Sequence, residues 1–300
     1  MLTRRSLLLA PVAALAAKSV LAQAGKMTLA IHQNTSSGSG YRGSLEGWAK
    51  AGIRYAELTA ALLDEFLKTD TLAAARRVLT DNGITPVCAA CGVNGLWEPN
   101  PKHAAAIDDF TRRCEQFATL GLTQIYAPST ATGMPFTDDD YKATADNMRK
   151  VGEAAAQFKL VAMVEATRAS TLIGTLPTML RVTRAANHPN MKPLLDFYHF
   201  WSGNNKLEDL DLIRNGEIGH VHFQDVPDVP REQLGQQTRI IPGDGIAPVN
   251  RILRALAEKR YAGSLSVELF LPQFAKGDPF AVATEIRQKC ERVMRGARVT

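Results

Sequence analysis

The sequence of 300 residues has no low-complexity block, no linker and no run of Lys and Arg interleaved with aromatic residues. The last absence argues against nucleic acid as a partner. Beyond the N-terminal segment, no apolar run is long enough to cross a bilayer. No apparent strand is followed by a GxGxxG loop, which disfavours a dinucleotide-binding open sheet. What is present is a balance of 45% hydrophobic and 22% charged residues, which is typical of a globular protein.

Cysteine is scarce, with four residues and a single CxxC pattern formed by Cys88 and Cys91. No second CxxC exists to complete a zinc site. The pair falls at the end of an apparent strand, where side chains three positions apart point to opposite faces of the sheet. A disulfide stays open as an alternative if the protein is exported. We expect small buried side chains instead.

The first 24 residues have the composition of a secretory signal peptide. Arg4 and Arg5 form a basic start, residues 6–17 are apolar, and small residues stand at the expected cleavage points, after Ala22 or Ala24. The paired arginines followed by SLLL are typical of a twin-arginine signal. The alternative is an N-terminal membrane anchor, which the apolar part is too short to form comfortably.

Removal of this segment would leave a mature chain of residues 25–300. The sequence therefore predicts a periplasmic or secreted protein that has no stable membrane anchor after cleavage. The removed part carries three basic residues and no acid, so the formal charge falls from +5 to +2. The basic character of the whole sequence belongs partly to the signal.

The mature chain alternates short apolar runs with helical patterns of roughly 10 to 20 residues. Several helical patterns end in Gly or Asn-Gly, as helix C-termini often do. The apolar runs are mostly continuous, which favours parallel strands buried on both faces. Eight strand candidates are present, at 28–32, 53–58, 84–89, 123–128, 160–165, 192–196, 219–224 and 264–269.

Eight strand–helix units in about 275 residues predict an α/β fold, a single-domain (β/α)8 TIM barrel. A doubly wound open sheet is the alternative architecture. The first unit is the least regular one. Its segment QNTSSGSGYRGS, residues 33–44, is expected to form a long loop before a short helix.

In a TIM barrel the functional residues lie at the C-terminal ends of the strands. A single carboxylate in such a place could cap a helix or pair with an arginine. Several carboxylates at one barrel mouth would repel each other and be costly to desolvate, unless a cation lies between them. Four consecutive strand candidates carry such side chains at their ends: Glu165, Asp196, His222 and Glu268.

These four residues predict a site for one divalent metal ion. Three carboxylates and one imidazole suit Mn²⁺, with Mg²⁺, Co²⁺ or Zn²⁺ as alternatives. A structural zinc site would be richer in cysteine. Glu165 and Glu268 come from non-adjacent strands, so they can flank a substrate and serve as catalytic base and acid.

Other residues near strand ends are weaker candidates for substrate binding. Glu57 could bond to substrate hydroxyls or orient a metal ligand, and His32 could contact a ligand or pack inside the barrel. Trp97 follows the third strand and could form an apolar wall against a substrate ring or cover the barrel rim. His220 shares a strand face with His222 but lies deeper, and we expect it to be packed and hydrogen-bonded.

Several segments resemble the xylose-isomerase-like TIM-barrel superfamily of sugar isomerases and epimerases, also called the AP-endonuclease-2 family. The resemblance covers essentially the whole mature chain. It is greatest to inosose (keto-inositol) isomerases, and next to hydroxypyruvate isomerases and ketose 3-epimerases. It implies that the four strand-end residues bind one divalent metal. The segments that carry it are LLDFYHFW, HVHFQD, RIIPGDG and LSVELF.

The resemblance also implies two contacts with substrate. His199, three residues after Asp196, would contact the substrate oxygen next to the carbonyl. Arg239, just before the PGDG turn, would contact oxygens on the other side. Arg231 is an alternative to Arg239, because the region 225–237 is longer than in the epimerases.

The family reaction moves a proton next to a ketone through an enediolate, which implies an isomerase or epimerase of a keto-sugar or keto-inositol. The same enediolate could expel a leaving group, so a dehydratase or β-eliminase is the main alternative. A DNA-repair endonuclease is disfavoured, because six histidines are too few for its trinuclear zinc site. A non-catalytic sugar-binding module is the remaining alternative. The expected partner is a small polyol ketone, and the sequence leaves open whether the chain forms a homo-oligomer.

Overall fold

The structure, a computed structural model, describes residues 26–133 and 135–300. The predicted signal peptide, residues 1–24, lies outside this part of the chain. Eight parallel strands close into a barrel in sequence order, with the last strand paired to the first. The predicted TIM barrel is confirmed. Its strands are β1 Thr28–His32, β2 Tyr55–Thr59, β3 Thr85–Ala90, β4 Gln124–Pro128, β5 Val161–Glu165, β6 Met191–Asp196, β7 His220–His222 and β8 Ser264–Val267.

Helices follow the strands and cover the outside of the barrel. Thr137 caps its helix in a capping box with Asp140, at the start of an acidic run. Among the described residues, no helix combines the length and the apolar character needed to cross a membrane. The α-helices are α1 Gly40–Lys50, α2 Ala60–Leu67, α3 Leu72–Asp81, α4 His103–Thr119, α5 Asp138–Ala156, α6 Leu176–Ala186, α7 Phe197–Ser202, α8 Val249–Glu258, α9 Pro272–Ala275 and α10 Pro279–Ala297. Short 3-10 helices span Gln33–Ser39, Leu207–Leu212, Arg231–Gln233 and Gln236–Thr238.

The hydrophobic core has two parts. The larger part includes outward-facing strand residues such as Val164 and Val221 and helix residues such as Ile286. The smaller part lies inside the barrel. In β5 and β6, Met163 and Leu194 precede Glu165 and Asp196 by two positions. The smaller part therefore forms the layer beneath these polar side chains. It contains Cys88, Tyr126, Met163 and Leu194.

The cysteines are all buried free thiols. Cys88 belongs to the small core inside the barrel. Burial raises the pKa of the Cys91 thiol to about 12. These positions agree with the expectation of small packed side chains.

The segment 33–44 does not form the expected long loop. The 3-10 helix Gln33–Ser39 leads directly into α1. The Gln33 side-chain oxygen accepts the backbone N–H of Thr59, and the Thr35 hydroxyl donates to the carbonyl of Val267. The expectation was wrong because the polar side chains of this segment find hydrogen-bond partners inside the fold.

The last two strands are shorter than the sequence predicts. β7 covers three residues instead of the predicted 219–224, and β8 ends at Val267 rather than at residue 269. The backbone N–H of Leu269 bonds to the side chain of Thr35 rather than to a neighbouring strand. Glu268 is therefore the first residue after β8, where the chain turns away from the sheet.

Candidate active site and metal centre

The four predicted strand-end residues lie together at the C-terminal mouth of the barrel. The Nδ1 atom of His222 is 2.9 Å from Oε1 of Glu165, 3.4 Å from Oδ2 of Asp196 and 3.5 Å from Oε2 of Glu268. One potential ligand atom from each residue lies within 4.8 Å of the other three. All four side chains are buried. One imidazole nitrogen thus faces three carboxylates in a group small enough to surround one cation.

The strand ends place these groups at the same mouth of the barrel. Asp196 pairs with His222 across β6 and β7, and Glu165 is the last residue of β5. Asp196 also caps α7, where its Oδ1 accepts the backbone N–H of His199 at 2.7 Å. The backbone therefore fixes one oxygen of Asp196 and leaves Oδ2 directed at the cluster.

The charges and donor atoms of the site fit a divalent cation. Four carboxylates are buried here, whereas Arg239 is the one buried Lys or Arg in the described part of the chain. Buried charge is costly unless it is compensated. A set of three carboxylates and one imidazole is also what Mn²⁺ and related ions bind. The carboxylates belong to Glu57, Glu165, Asp196 and Glu268.

Arg239 reaches the site from the loop between β7 and α8. Its Nη1 donates to Oδ2 of Asp196 and to Oε2 of Glu268, both at 2.7 Å. The guanidinium also lies 4.8 Å from the ring centroid of Tyr198 and 5.1 Å from that of Phe270. Burial acts to raise the pKa of Asp196, but the Arg239 guanidinium holds that pKa well below its usual range. Asp196 is therefore ionised in this site.

The loop that carries Arg239 is fixed at its base and near its tip. At the tip, the hydroxyl of Tyr198 donates to the carbonyl of Gly235 at 2.6 Å. At the base, the buried carboxylate of Asp225 binds the two ends of the loop together. It accepts four backbone N–H groups, from Val226, Gly243, Gly245 and Ala247.

His199 stands beside Arg239, with its Nε2 3.0 Å from Nη2 of the guanidinium. Its Nδ1 lies 3.3 Å from the backbone nitrogen of Arg168. Burial lowers the pKa of His199 to about 4, so the ring is neutral at physiological pH. The Arg239 guanidinium and the Arg168 N–H can only donate, and a neutral ring has one acceptor nitrogen, so at most one of these two contacts is a hydrogen bond at a time. His199 and Arg239 lie side by side next to the cluster, where both could contact a substrate oxygen.

The two glutamates predicted to act as catalytic base and acid, Glu165 and Glu268, differ in acidity. Burial raises the pKa of Glu165 to about 7, although His222 acts in the opposite direction. Burial also acts to raise the pKa of Glu268, but Arg239 brings it below its ordinary value. Two carboxylates whose environments separate their pKa values are suited to different proton-transfer roles.

Two of the predicted substrate-binding residues, Arg231 and Trp97, form no hydrogen bond or ion pair with the four clustered residues in the described structure. Arg231, the alternative to Arg239, is exposed, and its guanidinium lies 4.6 Å from the ring centroid of Trp201. Trp97 is buried, and its indole N–H donates to the carbonyl of Pro128 at 3.3 Å. The Trp97 ring is thus packed next to the end of β4, which favours the rim-covering interpretation over contact with a sugar.

Glu57 and His32 lie on the inner side of the cluster. Glu57 contacts Nε2 of His222 at 3.1 Å through one oxygen and Nε2 of His220 at 2.9 Å through the other. The Nε2 atom of His32 is 3.1 Å from the hydroxyl of Tyr126 and 3.5 Å from Oε1 of Glu268. His220 is buried and hydrogen-bonded, as expected.

Three residues that contact the site were not predicted. Gln224 donates from Nε2 to Oδ2 of Asp196 at 2.8 Å, and its buried Oε1 has no partner among the described residues. The alternation in HVHFQ could have identified Gln224, because it follows His222 by two positions and shares its strand direction. Tyr126 and Asn34, which contact His32 and Glu268, carry no comparable signal.

Comparison with known proteins identifies relatives that share this barrel. The inosose isomerase of Halalkalibacterium halodurans is 27% identical over 237 residues, which are 77% of this chain and 83% of that protein. A 3-dehydroshikimate dehydratase of Bacillus anthracis is 26% identical over 179 residues, which are 54% of this chain and 63% of that protein. The crystal structure of the IOLI protein with a bound zinc atom aligns with a TM-score of 0.83 at 22% identity, covering 90% of this chain and 99% of that one.

A family model agrees with the fold and with these relatives. The model described as the xylose isomerase-like TIM barrel matches residues 45–292, which include every strand after β1 and all four residues of the candidate metal centre. The resemblance seen in the sequence is therefore confirmed. The chain belongs to the xylose isomerase-like TIM-barrel family.

Proposed function

We propose that the protein is a divalent-metal-dependent isomerase or epimerase that moves a proton next to the carbonyl of a keto-sugar or keto-inositol. The similarity to inosose isomerases supports an enzyme of the sugar isomerase and epimerase type. The observation that carries the proposal is the position of His222 Nδ1 within 3.5 Å of carboxylate oxygens of Glu165, Asp196 and Glu268.

The chemistry requires a base, an acid and groups that hold the substrate oxygens. A bound divalent cation would polarise the substrate carbonyl as a Lewis acid. Glu165 and Glu268 come from β5 and from the end of β8, so one can remove the proton and the other can return it. His199 and Arg239 would donate hydrogen bonds to the oxygens that gain negative charge during the transfer. Asp196 and His222 would hold the metal without taking part in proton transfer.

The donor set gives an order of preference among metals. Carboxylate oxygens with one imidazole favour Mn²⁺, and Mg²⁺, Co²⁺ and Zn²⁺ are alternatives of suitable charge. The zinc atom named with the IOLI structure supports the presence of a divalent ion in this fold, and its identity here remains part of the proposal.

The proposal is tested by product analysis. Chelator-stripped protein is reloaded with each metal and incubated with inosose and with ketohexoses. The products are separated, and their masses are measured by mass spectrometry. We expect a metal-dependent product of unchanged mass, absent with Glu165→Gln and Glu268→Gln and retained with Glu153→Gln, an exposed control on α5. No product from any polyol ketone with any of the metals would count against the proposal.

A dehydratase is the second candidate. The similarity to 3-dehydroshikimate dehydratases favours it, although that similarity spans only about half of this chain. Elimination uses the same removal of a proton next to a carbonyl, followed by loss of a hydroxyl group. A product lighter than the substrate by one water identifies this reaction, whereas isomerisation conserves the mass.

A further inference from the structure

Glu57 lies between two histidines of β7, behind the metal cluster. Its Oε1 is 3.1 Å from Nε2 of His222, and its Oε2 is 2.9 Å from Nε2 of His220. All three side chains have at most 1% of their surface exposed. Each oxygen of the carboxylate therefore faces one imidazole of β7.

Both ring nitrogens of His222 face carboxylates, because Nδ1 lies 2.9 Å from Oε1 of Glu165 and Nε2 lies 3.1 Å from Oε1 of Glu57. An ionised carboxylate can only accept hydrogen bonds, so it holds the ring proton of His222 on Nε2. The other nitrogen, Nδ1, is the atom that lies among the three carboxylates of the cluster. A metal ligand must present an unprotonated nitrogen. When a cation replaces any proton on Nδ1, Glu57 accepts the proton that stays on Nε2 and so stabilises the tautomer of His222 that can bind a metal.

The second histidine holds Glu57 in this orientation. His220 and His222 are two residues apart on one strand, so their side chains project in the same direction. Their rings are perpendicular, with centroids 5.8 Å apart, and the carboxylate of Glu57 bridges them. Because one oxygen is bonded to His220, the carboxylate cannot rotate away from His222 without losing a buried hydrogen bond.

The barrel wall is irregular at this position. Ala56 pairs with Pro86 in β3, but Glu57 pairs with Cys88, so Val87 is an extra residue in the wall. Such bulges redirect side chains and are frequent next to active sites. The bulge brings the small side chain of Cys88, rather than a larger neighbour, beside Glu57. The irregularity is independent evidence that the fold is adapted to the position of this carboxylate.

We propose that Glu57 is a positioning residue that fixes the metal-binding tautomer of His222, and that His220 holds Glu57 in place. The inference rests on the proposed metal-dependent function. Partners of this kind behind a metal-ligating histidine typically change metal affinity by about 10- to 100-fold when they are removed.

The test is a comparison of metal affinity by calorimetry on chelator-stripped protein, with Zn²⁺ and Mn²⁺ as probes. We expect Glu57→Gln to bind each metal about 10- to 100-fold more weakly than the wild type. The matched control is Ser266→Ala, because Ser266 pairs with His222 in register and its buried hydroxyl has no partner in the described structure. We expect this control to bind metal as the wild type does.

The results separate a positioning role from a structural one. If Glu57→Gln lowers the melting temperature but binds metal as tightly as the wild type, the inference is overturned while the proposed function stands. If the wild type binds neither metal, both are overturned.

A measurement on the wild-type protein tests the inference without requiring that any variant folds. In the ¹⁵N spectrum of the zinc-loaded protein, we expect His222 to carry its proton on Nε2 and to bind zinc through Nδ1. A proton on Nδ1, with zinc on Nε2, would overturn the inference.

Discussion

The Nη1 atom of Arg239 lies 2.7 Å from Oδ2 of Asp196, in the middle of the candidate metal centre. The same nitrogen contacts Glu268 at the same distance. A residue expected to bind substrate is therefore also the direct counter-ion of two potential metal ligands. Arg239 is therefore expected both to stabilise the metal-free protein and to hold the substrate.

Arg239→Gln should destabilise the metal-free protein by about 3–5 kcal/mol, because it leaves buried carboxylates without their cation. The free energy of unfolding is measured by urea denaturation in the presence of a chelator. Saturation with Mn²⁺ should reduce the loss, since a second cation then compensates the same carboxylates. The exposed Arg231→Gln is the control, and its effect should stay within about 1 kcal/mol. An equal loss in both variants would contradict the assignment of Arg239 as the counter-ion.

Asp225→Asn should lower both stability and activity. The carboxylate accepts four backbone N–H groups at the base of the loop that carries Arg239. An amide offers one acceptor oxygen and directs N–H groups at donors, so we expect a loss of about 2–4 kcal/mol in the free energy of unfolding. Asp228→Asn, exposed on the same loop, should change it by less than about 0.5 kcal/mol. Similar effects of the two substitutions would show that the base of the loop is not held by Asp225.

Removal of metal should lower thermal stability reversibly. A ligand that binds only the folded state stabilises it by about 2.7 kcal/mol at a free concentration of 100 times its Kd. Differential scanning calorimetry with chelator, and then with excess Mn²⁺ or Zn²⁺, checks this for the wild type. Glu268→Gln should show a smaller metal-induced shift. A melting temperature that is independent of metal in the wild type would contradict the assignment of the cluster as a metal site.

The first 24 residues should be removed on export, which is a proposal that rests on sequence alone. Protein recovered from the periplasm or the medium should begin at Gln23 or Gly25, as intact mass shows. Replacing both Arg4 and Arg5 with lysine should block export if the signal is of the twin-arginine type. If wild-type cells contain only full-length protein in the cytoplasm and no shortened form, the proposed export and cleavage are contradicted.

The sequence predicts the barrel well because its strands are buried on both faces and separated by helical patterns. It predicts the positions of Glu165 and Asp196 for the same reason, since each is the polar residue that ends an apolar run. His222 follows from its alternation with His220 on one strand face. The same reasoning fails for segment 33–44, because Gln33 and Thr35 are polar and yet buried. Hydrogen-bond partners supplied by distant strands override the usual link between polarity and exposure.

The contacts of the loop between β7 and α8 could not be predicted. Nothing in RIIPGDG shows that Arg239 turns back to Asp196, which is 43 residues away in sequence. That path depends on Asp225, whose own partners are backbone groups with no sequence signature. The role of Tyr126 could not be predicted either, because a single tyrosine in an apolar strand is typical of a hydrophobic core. Only the structure shows its hydroxyl beside His32.

Hydrogen exchange at the substrate carbon tests the central claim most directly. Metal-loaded enzyme is incubated with inosose and ketohexoses in D₂O, and deuterium is located by NMR and mass spectrometry. We expect deuterium at the carbon next to the carbonyl, loss of exchange with Glu165→Gln and Glu268→Gln, and normal exchange with Glu153→Gln. Exchange that survives in both glutamate variants, or its absence from every polyol ketone with the metal-loaded wild type, would contradict proton transfer by these two residues.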